Sequence, residues 1–144
     1  MIEKDTIRLL RECDAGVKMG VSSINDVIGH VRAAGLKNTL TVSRDEHEKL
    51  GREIRSRLDL FHDSGKDPSP IAQSMSGMTA GIKMAFQGGD KTIADLMTDG
   101  CDMGVKSLNR YLNEYKAADE SAKDLARRLI RLEERLCDDV KTYL

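Results

Sequence analysis

The residues that could perform chemistry in this chain recur at matching places in its two halves. The segment CDAGVK at positions 13–18 matches CDMGVK at positions 101–106 in five of six residues, at an offset of 88. Asp14 and Asp102 are equivalent in the two segments, so they could form a carboxylate pair that binds one cation or shares a proton. The alternative interpretation is that each carboxylate is solvated, or paired with a nearby lysine or arginine.

His47 is the third residue that could act at a site. It lies on the same predicted helix stripe as Leu50 and Ile54, and as a metal ligand it would need carboxylate partners. The alternative is a partly buried histidine with one accessible edge and no ligand role. A metal centre of this kind would draw on the three candidates and on nearby carboxylates, namely Asp14, Asp102, His47, Glu12, Glu48 and Asp99.

The three cysteines are an odd number and include no C-x-x-C pair. This pattern argues against a disulfide framework or a zinc site, and it predicts a reducing, cytoplasmic setting. Cys13 and Cys101 are equivalent in the two repeated segments and could form a redox pair, with buried, inert thiols as the alternative. The pattern leaves open whether Cys137 has a redox role.

The composition predicts one domain that binds neither nucleic acid nor membranes. A chain of 144 residues suits a single hydrophobic core, which must be aliphatic because aromatic residues make up only 3%. With 23 basic and 24 acidic residues, no strong attraction to polyanions is expected. No signal peptide is recognisable, and no stretch approaches the roughly 20 apolar residues of a membrane span.

The spacing of apolar residues predicts long helices. A stripe over residues 7–34, at alternating spacings of three and four, predicts the first helix, with Gly35 as the residue that ends it. A connection follows, and Ser43 with Glu46 would form a capping box that begins the second helix. That helix is expected to end near residues 64–65.

A crossover rich in glycine and proline follows and is predicted to contain a short helix. Asp90 is the expected N-cap of a third long helix over residues 91–116, and Ser121 is the expected N-cap of the last helix. The sequence therefore predicts one all-α domain over residues 1–144, with hairpin 1 at about 3–64, the crossover at 65–89 and hairpin 2 at about 90–144. A crossover of this length can travel the length of a bundle.

The matching segments and the repeated order of elements indicate an internal duplication. Two equivalent hairpins would place the first and third long helices side by side and antiparallel. A glycine inside a helix costs about 1 kcal/mol relative to alanine, so matched glycines suggest a steric reason. We expect close helix packing at Gly16, Gly104, Val17 and Val105, with simply tolerated glycines as the alternative.

The arrangement resembles the ferritin-like superfamily, and most of all a group of bacterial ferritin-like four-helix domains. The matching features are the segment 13–18, the second helix with His47, the turn Gly88 to Asp90, and the segment Cys101 to Tyr111. The resemblance implies two helical hairpins joined by a long crossover. It also implies a two-metal carboxylate centre of iron or manganese, to which each hairpin contributes a Glu and a Glu-x-x-His.

The chain departs from the ligand pattern that the resemblance implies. Val17 and Val105 stand where a glutamate is expected, Arg44 stands three residues before His47, and no histidine follows His62. We therefore expect no cofactor and a non-enzymatic bundle that acts as a structural or interaction protein. The alternative is a divergent iron or manganese protein with oxidase or storage activity.

The crossover also offers a candidate partner surface. Met75, Met78 and Met84 are flexible apolar residues that could form an adaptable surface for a partner or ligand. The alternative is that they cover the bundle. Long helices with this apolar spacing readily build dimers, so a homodimer is the expected candidate assembly.

Overall fold

The computed structural model describes residues 2–68 and 78–144, and it describes side chains for residues 2–68 and 88–144. This part of the chain is all-helical, with four α-helices and a final 3₁₀ turn. The elements are α1 (Ile2–Ile28), α2 (Ala34–Asp59), α3 (Met78–Glu114), α4 (Glu120–Val140) and the 3₁₀ turn Lys141–Tyr143. The helix α3 is interrupted at Gly89, whose φ of 65° and ψ of −149° are not helical.

The four helices pack side by side, and α1 and α4 each contact all three others. The start of α1 lies beside the α3–α4 connection, because the Asp119 amide donates to Thr6 Oγ1 at 2.8 Å. The end of α1 lies beside the interruption in α3, near Asp90. α1 and α3 are therefore antiparallel neighbours, as the sequence predicts. Ion pairs of Glu53 with Arg128 and of Glu46 with Arg135, each 2.7 Å long, show that α2 and α4 are also antiparallel.

The core consists of two apolar clusters stacked along the bundle. The first lies toward the start of α1 and contains Leu10, Leu58 and Leu129 among its members. The second lies toward the end of α1 and contains Ile24 and Leu40. Burial of aliphatic side chains is the main stabilising contribution, and it follows the predicted stripes. Between the clusters lies a layer of different composition, which is described below.

The predicted boundary between the first two helices is wrong. α1 ends at Ile28, six residues before the stripe ends, and α2 begins at Ala34. Gly35 therefore lies in the first turn of α2, where a Cβ atom would come within 2.5 Å of Tyr143 Oη. Ser43 is not an N-cap but an interior residue of α2. Glu46 pairs with Arg135 on α4 instead of closing a capping box.

Two other predicted N-caps also need correction, although the interruption of α3 at Gly89 lies directly before the predicted start of the third long helix. The Asp90 carboxylate accepts hydrogen bonds from the backbone amides of Arg32 and Ala33, both at 2.8 Å, so it holds the α1–α2 connection. The last helix is capped by Asp119, whose side chain accepts from the Ala122 amide at 2.8 Å, two residues before the predicted Ser121. At the other end of the first hairpin, α2 ends at Asp59, short of the predicted 64–65.

Part of the crossover prediction lies outside the described residues. The expected short helix behind Ser69 lies outside the described residues up to position 77, whereas residues 78–88 are helical and end at the interruption at Gly89, as the sequence predicts. The side chains of the candidate partner surface Met75, Met78 and Met84 also lie outside the described residues. Among the helices that the structure describes, none carries an apolar stretch sufficient to cross a bilayer.

Candidate functional site

The layer between the two apolar clusters contains one unusual residue from each helix. α2 contributes His47 and α4 contributes Glu133, whereas α1 contributes Gly20 and α3 contributes Gly104. A Cβ atom on Gly20 would lie 2.8 Å from the His47 ring, and one on Gly104 would lie 3.6 Å from the Glu133 carboxyl carbon. Two helices thus supply polar side chains to this middle layer, and the other two supply the space beside them.

His47 and Glu133 form a buried pair that joins α2 to α4. His47 is fully buried, and its Nε2 lies 2.9 Å from Glu133 Oε1. Its Nδ1 lies 2.7 Å from the Ser43 carbonyl oxygen, so Nδ1 carries a proton and donates it. Burial lowers the pKa of His47, but the hydrogen bond and charge of Glu133 and the bond to Ser43 outweigh burial and raise it overall. The geometry therefore favours an imidazolium held by a carboxylate.

The thiols are held in their neutral form. Cys101 lies beside Glu133, and its pKa is raised by burial, by the charge of Glu133 and by a hydrogen bond to it. Burial, with smaller contributions from Glu12 and Asp14, raises the pKa of Cys13 to about 12. Cys13 belongs to the first core cluster and Cys101 to the second. Both thiols are free and buried, which fits the interpretation of inert cysteines better than that of a redox pair.

A cavity of about 620 Å³ lies between α1 and α3 and extends inward to the middle layer. Small residues on the facing sides of both helices line it, including Gly16 on α1 and Gly100 on α3. Its other walls are mostly apolar, with His47 and Glu133 at the inner end. We call this space the α1–α3 cleft. Its remaining described lining includes Glu12, Lys66, Asp99, Asp102, Tyr111 and three methionines, Met19, Met97 and Met103.

Asp14 has a structural role at the end of the first hairpin. It is fully buried, with Lys18 Nζ at 2.7 Å from Oδ2 and the Lys66 backbone amide donating to the same oxygen at 2.9 Å. Gly65, with φ of 88°, packs so closely that a Cβ atom would lie 2.3 Å from Asp14 Oδ2. Asp14 thus fixes the turn after α2, and the interpretation of a lysine-paired carboxylate describes it.

Asp102 has a different environment from its repeat equivalent. It is exposed on α3, and its Oδ1 accepts from the Cys137 thiol at 3.5 Å. The three candidates Asp14, Asp102 and His47 therefore have separate partners. Within residues whose side chains are described, no three His, Cys, Asp or Glu residues stand close enough together to hold a metal ion.

The matched glycines and valines of the repeat contact α4 side chains and the first core cluster. The nearest atom to a Cβ atom on Gly16 is Leu129 Cδ2 at 3.4 Å, so both Gly16 and Gly104 face α4 side chains at ordinary contact distance. Val17 is buried in the first cluster, and Val105 packs against it. Closer approaches between long helices occur at Gly20, beside His47, and at Gly51, beside Val17, and the sequence singles out neither glycine.

Glu133 is the important site residue that sequence reasoning misses. It stands four residues after Leu129 and four before Cys137, both buried on the inner face of α4. A carboxylate at such a position is a signal for a buried partner, because acidic residues are rarely fully buried unless paired. The partner, 86 residues away, cannot be read from that signal.

Comparison with protein-family profiles, with curated proteins and with solved structures finds no match to this chain. Over its described residues the structure defines an all-α, four-helix protein, and its function follows from its own residues.

Proposed function

We propose that this chain is a non-enzymatic, ferritin-like bundle that acts as a structural or interaction protein, with a homodimer as its expected assembly. The observation that carries the proposal is the state of His47. Both of its ring nitrogens are already bonded within the protein, to Glu133 and to Ser43. A histidine ligand must present a free nitrogen lone pair to a metal, so this residue is used for helix packing instead.

The connectivity supports the ferritin-like part of the proposal. α2 ends beside residues near the start of α1, because Arg11 Nη1 donates to Asp63 Oδ1 at 2.9 Å. Asp90, which follows the interruption in α3, lies at the opposite end of α1, beside Arg32. Asp67 lies beside Lys18 in the second half of α1, so the connection to Asp90 leads toward the far end of α1, the direction expected for a bundle with a single crossover.

The residues present do not fit the two-metal centre that the resemblance implies. Val17 fills its position with a buried aliphatic side chain, and Asp14 is neutralised by Lys18. Asp102 lies apart on the exposed side of α3. Asp14 and His47 are thus held in buried ion pairs, and Asp102 is separate from both, which favours a binding or structural role over catalysis.

The test measures metal content and mass of the same preparation. Protein purified without chelator, from cells grown with added iron, manganese and zinc, should contain close to no metal per chain by elemental analysis. Sedimentation velocity on that sample should give the mass of a dimer. A monomer at all concentrations, with no partner captured by the intact chain, would contradict an interaction role.

The alternative is a divergent iron or manganese protein with oxidase or storage activity. The observation that favours it is that a histidine and a carboxylate, both common metal ligands, lie 2.9 Å apart in the bundle interior. If it holds, the preparation contains stoichiometric metal, and both Asp14→Ala and His47→Gln lose it. Oxygen and peroxide consumption would then be measured on the metal-loaded protein.

A further inference from the structure

The α1–α3 cleft is large enough to hold a ligand. Its volume of about 620 Å³ falls in the range of roughly 300–1,000 Å³ that is common for small-molecule sites. The cleft therefore has the volume of a small-molecule binding site. Gly100 and Met103 on its α3 side are exposed, so the cleft opens to solvent and a ligand can reach it.

The space is created by glycines that packing does not require. Among the described residues, a Cβ atom on Gly100 would meet nothing within 4 Å, and one on Gly104 would make only an ordinary contact with Glu133. Alanine would fit at both positions and is the better helix former. Glycine at these two sites therefore lowers helix stability and leaves volume in the cleft.

The walls are suited to an apolar body of variable shape. Met19, Met97 and Met103 line the cleft together with Leu108 and Leu129. Methionine side chains are flexible and polarisable, so they adapt to ligands that differ in outline. The polar pair at the inner end is already satisfied, because His47 and Glu133 bond to each other.

Some charged side chains that line the cleft form ion pairs with each other, and others have no oppositely charged partner in its lining. Glu12 pairs with Lys66, and Glu133 pairs with His47. Asp99 and Asp102 remain on α3, and both are exposed. Among the described residues, Asp102 accepts a hydrogen bond from the neutral thiol of Cys137 and lies near Lys141, which is itself paired with Asp138. No basic side chain remains for them among the described lining residues. The rim of the cleft is therefore acidic while its interior is apolar.

We propose that the α1–α3 cleft binds an amphiphilic amine, a small molecule with an apolar body and one protonated amino group. The apolar body lies between Gly16 and Gly104, where it replaces missing packing contacts. The amino group stays at the rim beside Asp99 and Asp102, because an unpaired charge is costly to bury. This activity is separate from the proposed interaction role and does not depend on it.

The test uses a fluorescent probe and three competitors. N-phenyl-1-naphthylamine, a neutral dye that brightens in apolar cavities, is titrated into the intact protein and then displaced. Decylamine, decanol and decanoate share one apolar chain and differ in head-group charge. The expected order of displacement is decylamine first, decanol next and decanoate last.

Two sets of variants locate the site. Gly100→Leu/Gly104→Leu fills the cleft and should abolish dye uptake, whereas Gly100→Ala/Gly104→Ala keeps most of the volume and should retain it. Asp99→Asn/Asp102→Asn should raise the decylamine concentration for half displacement by roughly three- to tenfold without changing that for decanol. Asp124→Asn removes a charge on α4 outside the cleft, so it should change the half-displacement concentration of neither decylamine nor decanol.

Several outcomes would overturn the inference. A wild-type protein that takes up no dye would mean that the cleft is solvent-filled or already occupied by the chain itself. Equal dye uptake by the leucine and alanine variants, both folded by circular dichroism, would place binding elsewhere. Decanoate that displaces as well as decylamine would exclude a cationic ligand.

Discussion

At the scale of single residues, the His47–Glu133 pair is the feature that most distinguishes this bundle from a simple aliphatic core. Burying two ions carries a desolvation penalty, and the attraction within the pair offsets it only because both partners are well hydrogen-bonded. His47 has Ser43 as a second partner, and Glu133 has Cys101 beside it. The pair also fixes the rotation of α2 against α4, since a shift of either helix would leave a buried charge without its partner.

The raised pKa of His47 predicts how stability depends on pH. Because this pKa lies above its ordinary value of 6.5, the folded state binds a proton more tightly than the unfolded state. The stabilisation is therefore fully present below about pH 6.5 and is lost as pH rises through the folded-state pKa. His47→Gln should flatten this decline and, below pH 6.5, lower the free energy of unfolding by about 1–3 kcal/mol.

Urea denaturation between pH 5.5 and pH 9 measures this effect. His62→Asn, which removes an exposed histidine after α2, is the matched control and should keep the wild-type dependence on pH. A His47→Gln variant with the same decline as the wild type would show that another group causes it.

At the scale of elements, helix ends in this protein depend as much on distant residues as on local ones. The Ser43–Glu46 pattern has the spacing of a capping box, yet it lies inside α2. The α1–α2 connection is instead held by Asp90, 57 residues from Ala33. At the start of α4, Asp119 serves as N-cap and also pairs with Arg57 of α2 at 3.4 Å, so one residue ends a connection and joins two helices.

The start of α4 gives a direct comparison of two candidate caps. Asp119→Ala should lower the free energy of unfolding by about 1 kcal/mol, because the Ala122 amide loses its acceptor. Ser121→Ala, at the residue that the sequence favours, should change it by less than about 0.5 kcal/mol. Asp119→Asn retains a side-chain oxygen that can cap the helix, so its loss in free energy of unfolding should lie between those of Asp119→Ala and Ser121→Ala. Thermal denaturation of the three variants decides the point, and an equal loss for Ser121→Ala would restore the sequence-based assignment.

At the scale of the whole molecule, close packing and open space alternate around the middle layer. α1 approaches α2 tightly, since a Cβ atom on Gly51 would lie 2.9 Å from Val17 Cγ1. On its other side α1 is separated from α3 by the cleft. Glycines serve both purposes, which sequence alone does not distinguish: Gly20 allows His47 to sit against α1, whereas Gly100 borders open space.

Glycine-to-alanine substitutions should therefore lower the free energy of unfolding at some positions and raise it at others. Gly20→Ala should lower the free energy of unfolding by about 1–3 kcal/mol, because His47 is fixed by two bonds and cannot move away. Gly104→Ala and Gly100→Ala should raise it by up to about 1 kcal/mol through helix propensity. Chemical denaturation of the three variants measures these changes. A loss at Gly104 as large as that at Gly20 would support the close helix packing that the repeat predicts.

The sequence by itself determined the all-helical class and which helix faces are buried. These properties follow from local spacing: apolar residues three and four apart must share one helix face, and an aliphatic chain with few prolines has little other way to bury them. Leu50 and Ile54 of α2 and Leu129 and Leu136 of α4 are all buried as their stripes predict.

Only the tertiary structure decided the connections and the site. Asp90 could be assigned to the α1–α2 connection, and Glu133 to His47, only after distant segments had been brought together. A buried carboxylate in the sequence shows that a partner is needed, not which one. The cleft is likewise a property of how four helices are spaced, because the same glycine permits close approach where a side chain faces it and leaves a void where none does.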